Sequence, residues 1–110
     1  MMSLANDKTL HGVLPVVQTP LTTGDAIDVA ALHRQIDWAF ETGADGIVVA
    51  LASEILRLSD ERRKELAKLV CEHVAQRGYT IIGVGAESTA MAIEFARQAE
   101  ELGATAVMAI

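Results

Sequence analysis

One unit of this chain recurs after a fixed interval, and that interval constrains the fold more than any other feature. Residues 43–48 read GADGIV and residues 103–108 read GATAVM, so a pattern of glycine, alanine and a following apolar run returns after 60 residues. The interval equals two units of roughly 30 residues, the usual size of a strand, a helix and their connections. The repeat predicts a succession of βα units, which build either a (β/α)8 barrel or an open doubly wound sheet.

The spacing of apolar residues places the strands and helices within these units. Short apolar runs predict buried parallel strands at residues 13–18, 46–50, 80–84 and 106–110. Between the strands, apolar residues recur with the helical period. Side chains suited to helix N-caps precede the three predicted helices: Asp28, Ser59 and Ser88. Gly43 is expected to end the first helix in the left-handed backbone conformation, and Trp38 with Phe40 is expected to anchor that helix.

Charge and cysteine content argue against several classes of function. The net charge is -6 and no basic stripe is present, which argues against a nucleic-acid partner. Cys71 is the only cysteine, so no intrachain disulfide can form, and a cytoplasmic location is expected. No apolar run approaches the roughly 20 residues that span a bilayer. Residues 1–12 lack the apolar core of a secretory signal, so no membrane partner is expected.

The last predicted strand, residues 106–110, is followed by no helix. An apolar strand in that position leaves one edge of the sheet uncovered, and such edges invite association. A complete barrel takes about 250 residues. We therefore expect residues 1–110 to form the N-terminal half of a single TIM-barrel domain, with a stand-alone four-stranded sheet as the alternative.

Four segments occur in a fixed order from His11 to Ile110: HGVLPVVQTPL, IDVAALHRQIDWAFETGADGIVV, LSDERRKEL and TIIGVGAESTAMAIEFARQAEELGATAVMAI. Together they resemble the dihydrodipicolinate synthase/N-acetylneuraminate lyase family. Members of that family are (β/α)8 class I aldolases and dehydratases that act on 2-keto acids such as pyruvate. They are commonly tetramers built from dimers. The resemblance implies a small-molecule 2-keto acid as substrate, a homo-oligomer of the dimer-of-dimers type, and neither cofactor nor metal.

The resemblance also implies a mechanism. A lysine amine condenses with the keto group of pyruvate to form a Schiff base, and a tyrosine relays protons. In the family both residues lie beyond the position of Ile110. Of the lysines present, Lys64 and Lys68 fall on the second predicted helix and Lys8 in the N-terminal tail. The 110-residue chain alone is not expected to complete a catalytic cycle, and a non-catalytic half-barrel module that acts through self-association is the alternative function.

The loop after the second predicted strand departs from the family pattern. Where the family has Gly-Thr-Thr-Gly-Glu, residues 50–54 read ALASE. Ser53 is the remaining hydroxyl, so it is the candidate for carboxylate binding and for the proton relay, with Ala52 beside it; a role for Ser53 in a turn is the alternative. Thr19 matches the family's Thr-Pro and is a candidate substrate contact, with a structural hydrogen bond as the alternative. Losing both glycines favours a divergent 2-keto acid aldolase or dehydratase.

Three other polar residues are weaker candidates for a role in the site. Glu54 matches the family's loop glutamate, and we expect it to accept hydrogen bonds from loop amides. Arg57 has the chemistry to pair with a substrate carboxylate, although a solvated arginine is the commoner case. Gln18 is unusual in an apolar strand, and a bond to a neighbouring loop is the favoured interpretation.

Other motifs are expected to be structural. Residues 83–88 read GVGAES after a strand, like a dinucleotide fingerprint, but serine replaces the third glycine. Cys71 is expected to pack inside a helix. The three histidines, His11, His33 and His73, are far apart in the sequence without metal-ligand spacing, so no metal site is predicted.

Overall fold

The computed structural model describes residues 10–24, 26–50 and 58–109. Within these ranges helices and strands alternate, as the repeat predicts: α1 Val29–Glu41, β1 Gly46–Val49, α2 Asp60–Val74, β2 Tyr79–Gly83, α3 Thr89–Glu101 and β3 Ala106–Met108. The three strands form one parallel sheet in the order β1-β2-β3. Every predicted helix is confirmed, and the bounds of the last three predicted strands differ from the observed ones by no more than two residues.

Strand order separates the two architectures that a βα repeat allows. Val48 lies opposite Ile81, and Ile81 lies opposite Ala106, so each strand pairs with the next one in the chain. A doubly wound sheet reverses its order at a switch point, whereas consecutive parallel strands with helices outside them build a barrel. Here α2 contacts both neighbouring strands and also α1 and α3. The described residues therefore form part of a (β/α)8 barrel.

The first predicted strand, residues 13–18, is not formed as a full strand. A single parallel bridge joins Val16 to Val48. The Val48 N–H donates to the Pro15 carbonyl at 2.9 Å, and the Val17 N–H donates to the Val48 carbonyl at 3.1 Å. Pro15 has no N–H, so the next ladder bond toward Gly46 has no donor. Residues 13–17, called the edge segment below, thus lie beside β1 in strand order but make a shorter ladder.

The apolar core lies between the sheet and the helical layer. Its largest fully buried side chains are Leu32, Ile36, Ile47, Leu66, Val70 and Val74. Each contributes about 1.5–3 kcal/mol relative to an exposed position. Phe40 packs against this core, as predicted. The prediction for Trp38 is wrong: it is 65% exposed, because it precedes core-facing Ala39 and points away from the helix face that covers the sheet.

The 60-residue repeat is also a repeat of backbone structure. Gly43 and Gly103 follow α1 and α3 with φ of 103° and 83°, the left-handed region that glycine tolerates best. After each glycine, the N–H of the next alanine, Ala44 or Ala104, returns to a helix carbonyl at 3.0 Å. The predicted N-caps are also confirmed. The side-chain oxygens of Asp28, Ser59 and Ser88 each accept a hydrogen bond from the backbone N–H three residues later, at 3.1–3.2 Å.

Candidate functional site

The parallel strands bring their carboxyl ends to one edge of the sheet, where α/β barrels place their chemistry. The edge segment leads there into Thr19, β1 ends there at Val49 and β2 at Gly83. Of the predicted site residues, the structure describes Thr19. The candidates Ala52 and Ser53 lie outside the described residues, as do Glu54 and Arg57, so their roles stay predictions.

Thr19 is half-buried between two anchored stretches of backbone. Before it, the Gln18 N–H donates to Gln35 Oε1 at 2.8 Å, and Gln35 Nε2 donates to the Gln18 carbonyl at 3.1 Å. After it, the Pro20 carbonyl accepts from the Asp28 N–H at 2.8 Å. The Thr19 hydroxyl makes no hydrogen bond to any residue in the described ranges. The structural hydrogen bond offered as its alternative role is thus not observed there.

A buried cation lies at the same end of the sheet. Arg63, on the first turns of α2, is only 6% exposed. Its Nη2 donates to the Gly83 carbonyl at 3.3 Å, and its guanidinium carbon lies 3.9 Å from the centroid of the Phe95 ring. Burial lowers the pKa of Arg63, and the charge of Asp60 partly offsets this effect. Arg63 thereby joins α2 to the carboxyl end of β2 and to α3.

From the sequence alone, Arg63 was not singled out as a functional residue. Its position carries the signal, since Arg63 precedes Leu66 and Ala67 by three and four residues and so shares their inward face. Guanidinium is weakly hydrated and stacks on aromatic rings, which suits such a position. In the part of the chain that the structure describes, Arg63 forms no ion pair.

A second polar cluster joins α1 to α2. The rings of His33 and His73 stack at 3.8 Å between centroids with an angle of 6° between their planes. His73 Nε2 and Arg77 Nη1 both lie 2.8 Å from Asp37 Oδ1. The two donors, Arg77 first, hold the pKa of Asp37 below its ordinary value. His33 and His73 are far apart in the sequence, and they meet here because the return of the chain through β1 sets the two helices side by side.

This second cluster is not placed for barrel chemistry. His73 and Arg77 lie at the C-terminal end of α2, which faces the amino ends of the strands. In (β/α)8 barrels, residues at the amino ends of the strands contribute to stability and not to catalysis. Among the described residues, no group of three or more His, Cys, Asp or Glu side chains has the geometry to hold a metal ion.

Three further side chains with reactive groups, those of Cys71, Lys64 and Tyr79, lie in the core, at the surface or at the amino end of a strand. Cys71 is buried, and burial, with a smaller effect of the Glu72 charge, raises the pKa of its thiol to about 11. Lys64 Nζ lies 3.4 Å from Glu94 Oε1 on α3. Tyr79 is the first residue of β2, at the amino end, and packs edge-on against His11 at 5.8 Å. None of these groups faces the carboxyl ends of the strands.

The length and hydropathy of the helices show whether any of them could cross a membrane. Over residues 10–24, 26–50 and 58–109, none of the helices combines the length and the apolar character that crossing a bilayer requires.

Comparison with known sequences gives one consistent result. The model of the Dihydrodipicolinate synthetase family matches residues 9–110. A 4-hydroxy-tetrahydrodipicolinate synthase from Azoarcus sp. (strain BH72) is 37% identical over 102 residues, which are 92% of this chain and 35% of the relative. A synthase of the same name from Polynucleobacter asymbioticus is 34% identical over 109 residues, 98% of this chain and 36% of the relative. The chain spans about a third of the length of these curated relatives.

Solved structures show the same likeness in three dimensions. The 4-hydroxy-tetrahydrodipicolinate synthase of Methylacidiphilum fumariolicum SolV matches with a TM-score of 0.84 at 33% identity, over 92% of this chain and 34% of its own. YagE, a prophage protein of the dihydrodipicolinic acid synthase family from E. coli K12 solved in complex with pyruvate, matches with a TM-score of 0.84 at 30% identity, over 89% of this chain and 33% of its own.

Proposed function

This chain belongs to the dihydrodipicolinate synthetase family, and from that membership we propose that residues 1–110 form the N-terminal half of a single (β/α)8 domain. The activity we propose for the whole domain is that of a lyase that acts on pyruvate or a related 2-keto acid through a Schiff base. Support comes from the synthase names of the curated relatives and from the pyruvate complex of YagE.

One observation carries the proposal furthest. The parallel bridge between Val16 and Val48 puts the carboxyl end of the edge segment beside the carboxyl end of β1. Thr19 follows the edge segment, and the residues that include Ser53 follow β1. The two hydroxyl residues therefore leave neighbouring strands at the edge where a barrel binds its substrate. The hydroxyl of Thr19 is also uncommitted among the described residues.

The proposed roles follow from the charge of the substrate. A 2-keto acid carries a carboxylate, which hydroxyl groups and backbone N–H groups bind as donors. In the proposal, Ser53, the backbone at Ala52 and Thr19 bind the substrate carboxylate. The Ser53 hydroxyl also passes a proton while the substrate carbonyl condenses with an amine, a step in which a C=N bond forms and water leaves. The amine is that of a lysine outside residues 1–110.

The specificity of the site is proposed to differ from that of the named synthases. Glycine lets a backbone approach a ligand closely, and residues 50–54, ALASE, contain none. A bulkier loop of this kind favours a divergent 2-keto acid aldolase or dehydratase. We further propose a cytoplasmic homo-oligomer built from dimers; the single cysteine, which cannot form an intrachain disulfide, suits the reducing cytoplasm.

Kinetics of a hybrid enzyme test the site. The hybrid joins residues 1–110 to the part of the Azoarcus relative that follows its matched segment. Loss of a proton relay costs about 10²-fold or more in turnover, so Ser53→Ala is expected to lower kcat by at least that factor. Thr23→Ala, which removes an exposed turn hydroxyl, is the control and should leave kcat unchanged. A kcat of Ser53→Ala within about twofold of the unaltered hybrid contradicts the relay role.

A further inference from the structure

Thr19 is held from both sides by the helix that follows it in the chain. On one side, the Gln18 N–H donates to Gln35 Oε1 at 2.8 Å, and the Gln18 carbonyl accepts from Gln35 Nε2 at 3.1 Å. On the other side, the Pro20 carbonyl accepts from the Asp28 N–H at 2.8 Å. Gln35 lies within α1, and Asp28 is the N-cap of that helix. The backbone before and after Thr19 is therefore fixed to one helix.

The side chain of Gln35 binds the backbone of Gln18 as a peptide group would. A carboxamide carries both a donor and an acceptor, and here both are bonded to the backbone of the same residue. Because hydrogen bonds are directional, two of them fix the orientation of Gln18 as well as its distance. Both partners belong to one βα unit of the described chain, and Gln35 is half-buried there. Gln35 thereby sets the position of Gln18 relative to α1.

The residues after Thr19 restrict it further. A residue that precedes proline is confined to extended backbone conformations, which applies to Thr19 before Pro20. Threonine is also branched at Cβ, so its χ1 angle has few accessible values. The turn that follows is closed by an antiparallel bridge between Leu21 and Ile27. The hydroxyl of Thr19 is thus held in few orientations, although it lies outside any helix or strand.

This hydroxyl is fixed in place without being used inside the described chain. Thr42 Oγ1 donates to the Trp38 carbonyl, and Thr105 Oγ1 accepts from the Thr80 N–H, both at 3.0 Å. The Thr19 hydroxyl makes no such bond to the described residues. Ordering a side chain costs conformational entropy, and no internal hydrogen bond offsets that cost here. A ligand with an acceptor oxygen would meet a donor already in position, which is how preorganised groups raise affinity.

We propose that Gln35 is a positioning residue of the substrate site. Through the backbone of Gln18 it holds the Thr19 hydroxyl where that hydroxyl donates to the carboxylate of the bound 2-keto acid. Gln35 itself does not touch the substrate, because both ends of its amide are bonded to Gln18. The inference rests on the proposed function, since Thr19 has this role only if a carboxylate binds at this edge of the sheet.

Binding of pyruvate to the hybrid enzyme tests the role of Gln35. The quantity measured is the pyruvate concentration that half-saturates trapping by borohydride. Thr19→Val removes the hydroxyl and keeps the shape, so it should raise this concentration about tenfold, as for a lost hydrogen bond to a charged group. Gln35→Met removes both bonds to Gln18 and preserves helix propensity, and it should raise the concentration about threefold or more. The amount of adduct at saturating pyruvate should stay the same, because only binding is weakened.

A neighbouring residue on the same helix provides the matched control. Arg34 precedes Gln35 and is exposed, so Arg34→Met should leave the half-saturating concentration within about 1.5-fold of the unaltered hybrid, as is usual for surface substitutions. Equal values for Gln35→Met and Arg34→Met would overturn the positioning role.

A double variant separates positioning from a general effect on packing. If Gln35 acts through the Thr19 hydroxyl, its loss has no further effect once that hydroxyl is gone. Thr19→Val with Gln35→Met should therefore match Thr19→Val alone within about 1.5-fold, since coupled sites are not additive. A threefold effect of Gln35→Met that persists in the Thr19→Val background would overturn the proposal.

Amide hydrogen exchange in the hybrid provides a measurement that does not depend on activity. Gln35→Met should speed the exchange of the Gln18 N–H about tenfold or more, because that group loses its acceptor; Arg34→Met should not change it. Unchanged exchange in Gln35→Met would show that another part of the barrel holds Gln18, and would overturn the proposal. A hybrid that traps no pyruvate, while the intact Azoarcus enzyme does, contradicts the proposed function as well. Trapping that is equal in the hybrid and in Gln35→Met contradicts the role of Gln35 alone.

Discussion

The guanidinium of Arg63 lies 3.9 Å from the centroid of the Phe95 ring, so a buried cation on α2 is stacked on an aromatic ring of α3. The same guanidinium donates to the Gly83 carbonyl at the carboxyl end of β2. Three elements therefore meet at one side chain. The contact is made at the end of the sheet where the proposed substrate site lies, which makes the packing of Arg63 relevant to the position of the strands around that site.

Arg63→Lys is expected to destabilise the chain by about 1–3 kcal/mol. Lysine buries a compact, strongly hydrated charge that neither stacks like guanidinium nor reaches the carbonyl in a fixed geometry. Arg63→Met removes the charge and keeps much of the volume, so it should cost less than the lysine variant. Urea unfolding measures both, with Arg62→Lys as the control, since Arg62 is half-exposed on the same helix and pairs with Glu65 at the surface. A lysine variant as stable as the unaltered chain would show that stacking contributes little.

The contact of Asp37 with Arg77 and His73 predicts a stability that depends on pH. The pKa of Asp37 in the folded chain lies below its ordinary value of 3.8. Its contribution is thus fully present above the unfolded pKa and is lost as the pH falls through the folded pKa. Asp37→Asn should lower the Tm near neutral pH, and the difference from the unaltered chain should shrink below about pH 4. Glu41→Gln is the control, and a difference that stays constant down to about pH 2.5 contradicts the account.

Cys71 is expected to react slowly while the chain is folded. Its thiol has a pKa raised to about 11 by burial, so little thiolate exists at mildly alkaline pH. At about pH 8, iodoacetamide should modify the native chain about 10²-fold more slowly than the urea-unfolded chain, as the thiolate fractions dictate. Mass spectrometry of timed samples follows the reaction. Equal rates in the two states would mean that Cys71 is accessible in the folded chain.

Gly43→Ala is expected to cost about 1–2 kcal/mol through backbone strain alone. Gly43 has φ of 103°, and a Cβ built there meets nothing within 4 Å, so crowding does not contribute. Asparagine tolerates the left-handed region better, so Gly43→Asn should cost less. Gly24→Ala, in an open turn without positive φ, is the control and should change the free energy of unfolding by less than about 0.5 kcal/mol. An alanine variant of Gly43 that matches this control would exclude strain.

Features with a local cause were predictable from the sequence. The N-caps at Asp28, Ser59 and Ser88 depend on one side chain and the next turn of the helix, and each was observed as predicted. The alternation of strand and helix was also predictable, because the spacing of apolar residues within each segment distinguishes a helix from a strand. The left-handed glycines close the first and third helices for the same reason.

Features that depend on neighbours across the fold were not predictable. Pro15 lies in an apolar run that is typical of a strand, but it lacks the N–H that a further hydrogen bond to β1 requires. That loss becomes visible only once the pairing with β1 is known. His33 and His73 come together only because α1 and α2 pack side by side. The burial of Arg63 depends on Phe95 and on the Gly83 carbonyl, which only the packed fold brings to it. The role of Ser53 depends on residues outside the described ranges, and it stays a prediction.

The mass of the hybrid enzyme after treatment with pyruvate and borohydride tests the central claim most directly. If residues 1–110 supply the N-terminal half of a Schiff-base lyase, the hybrid will gain the mass of one reduced pyruvate per chain, and the 110-residue chain alone will gain none. A folded hybrid with the strand and helix content of the parent relative that gains no mass, while the intact Azoarcus enzyme does, would contradict the claim.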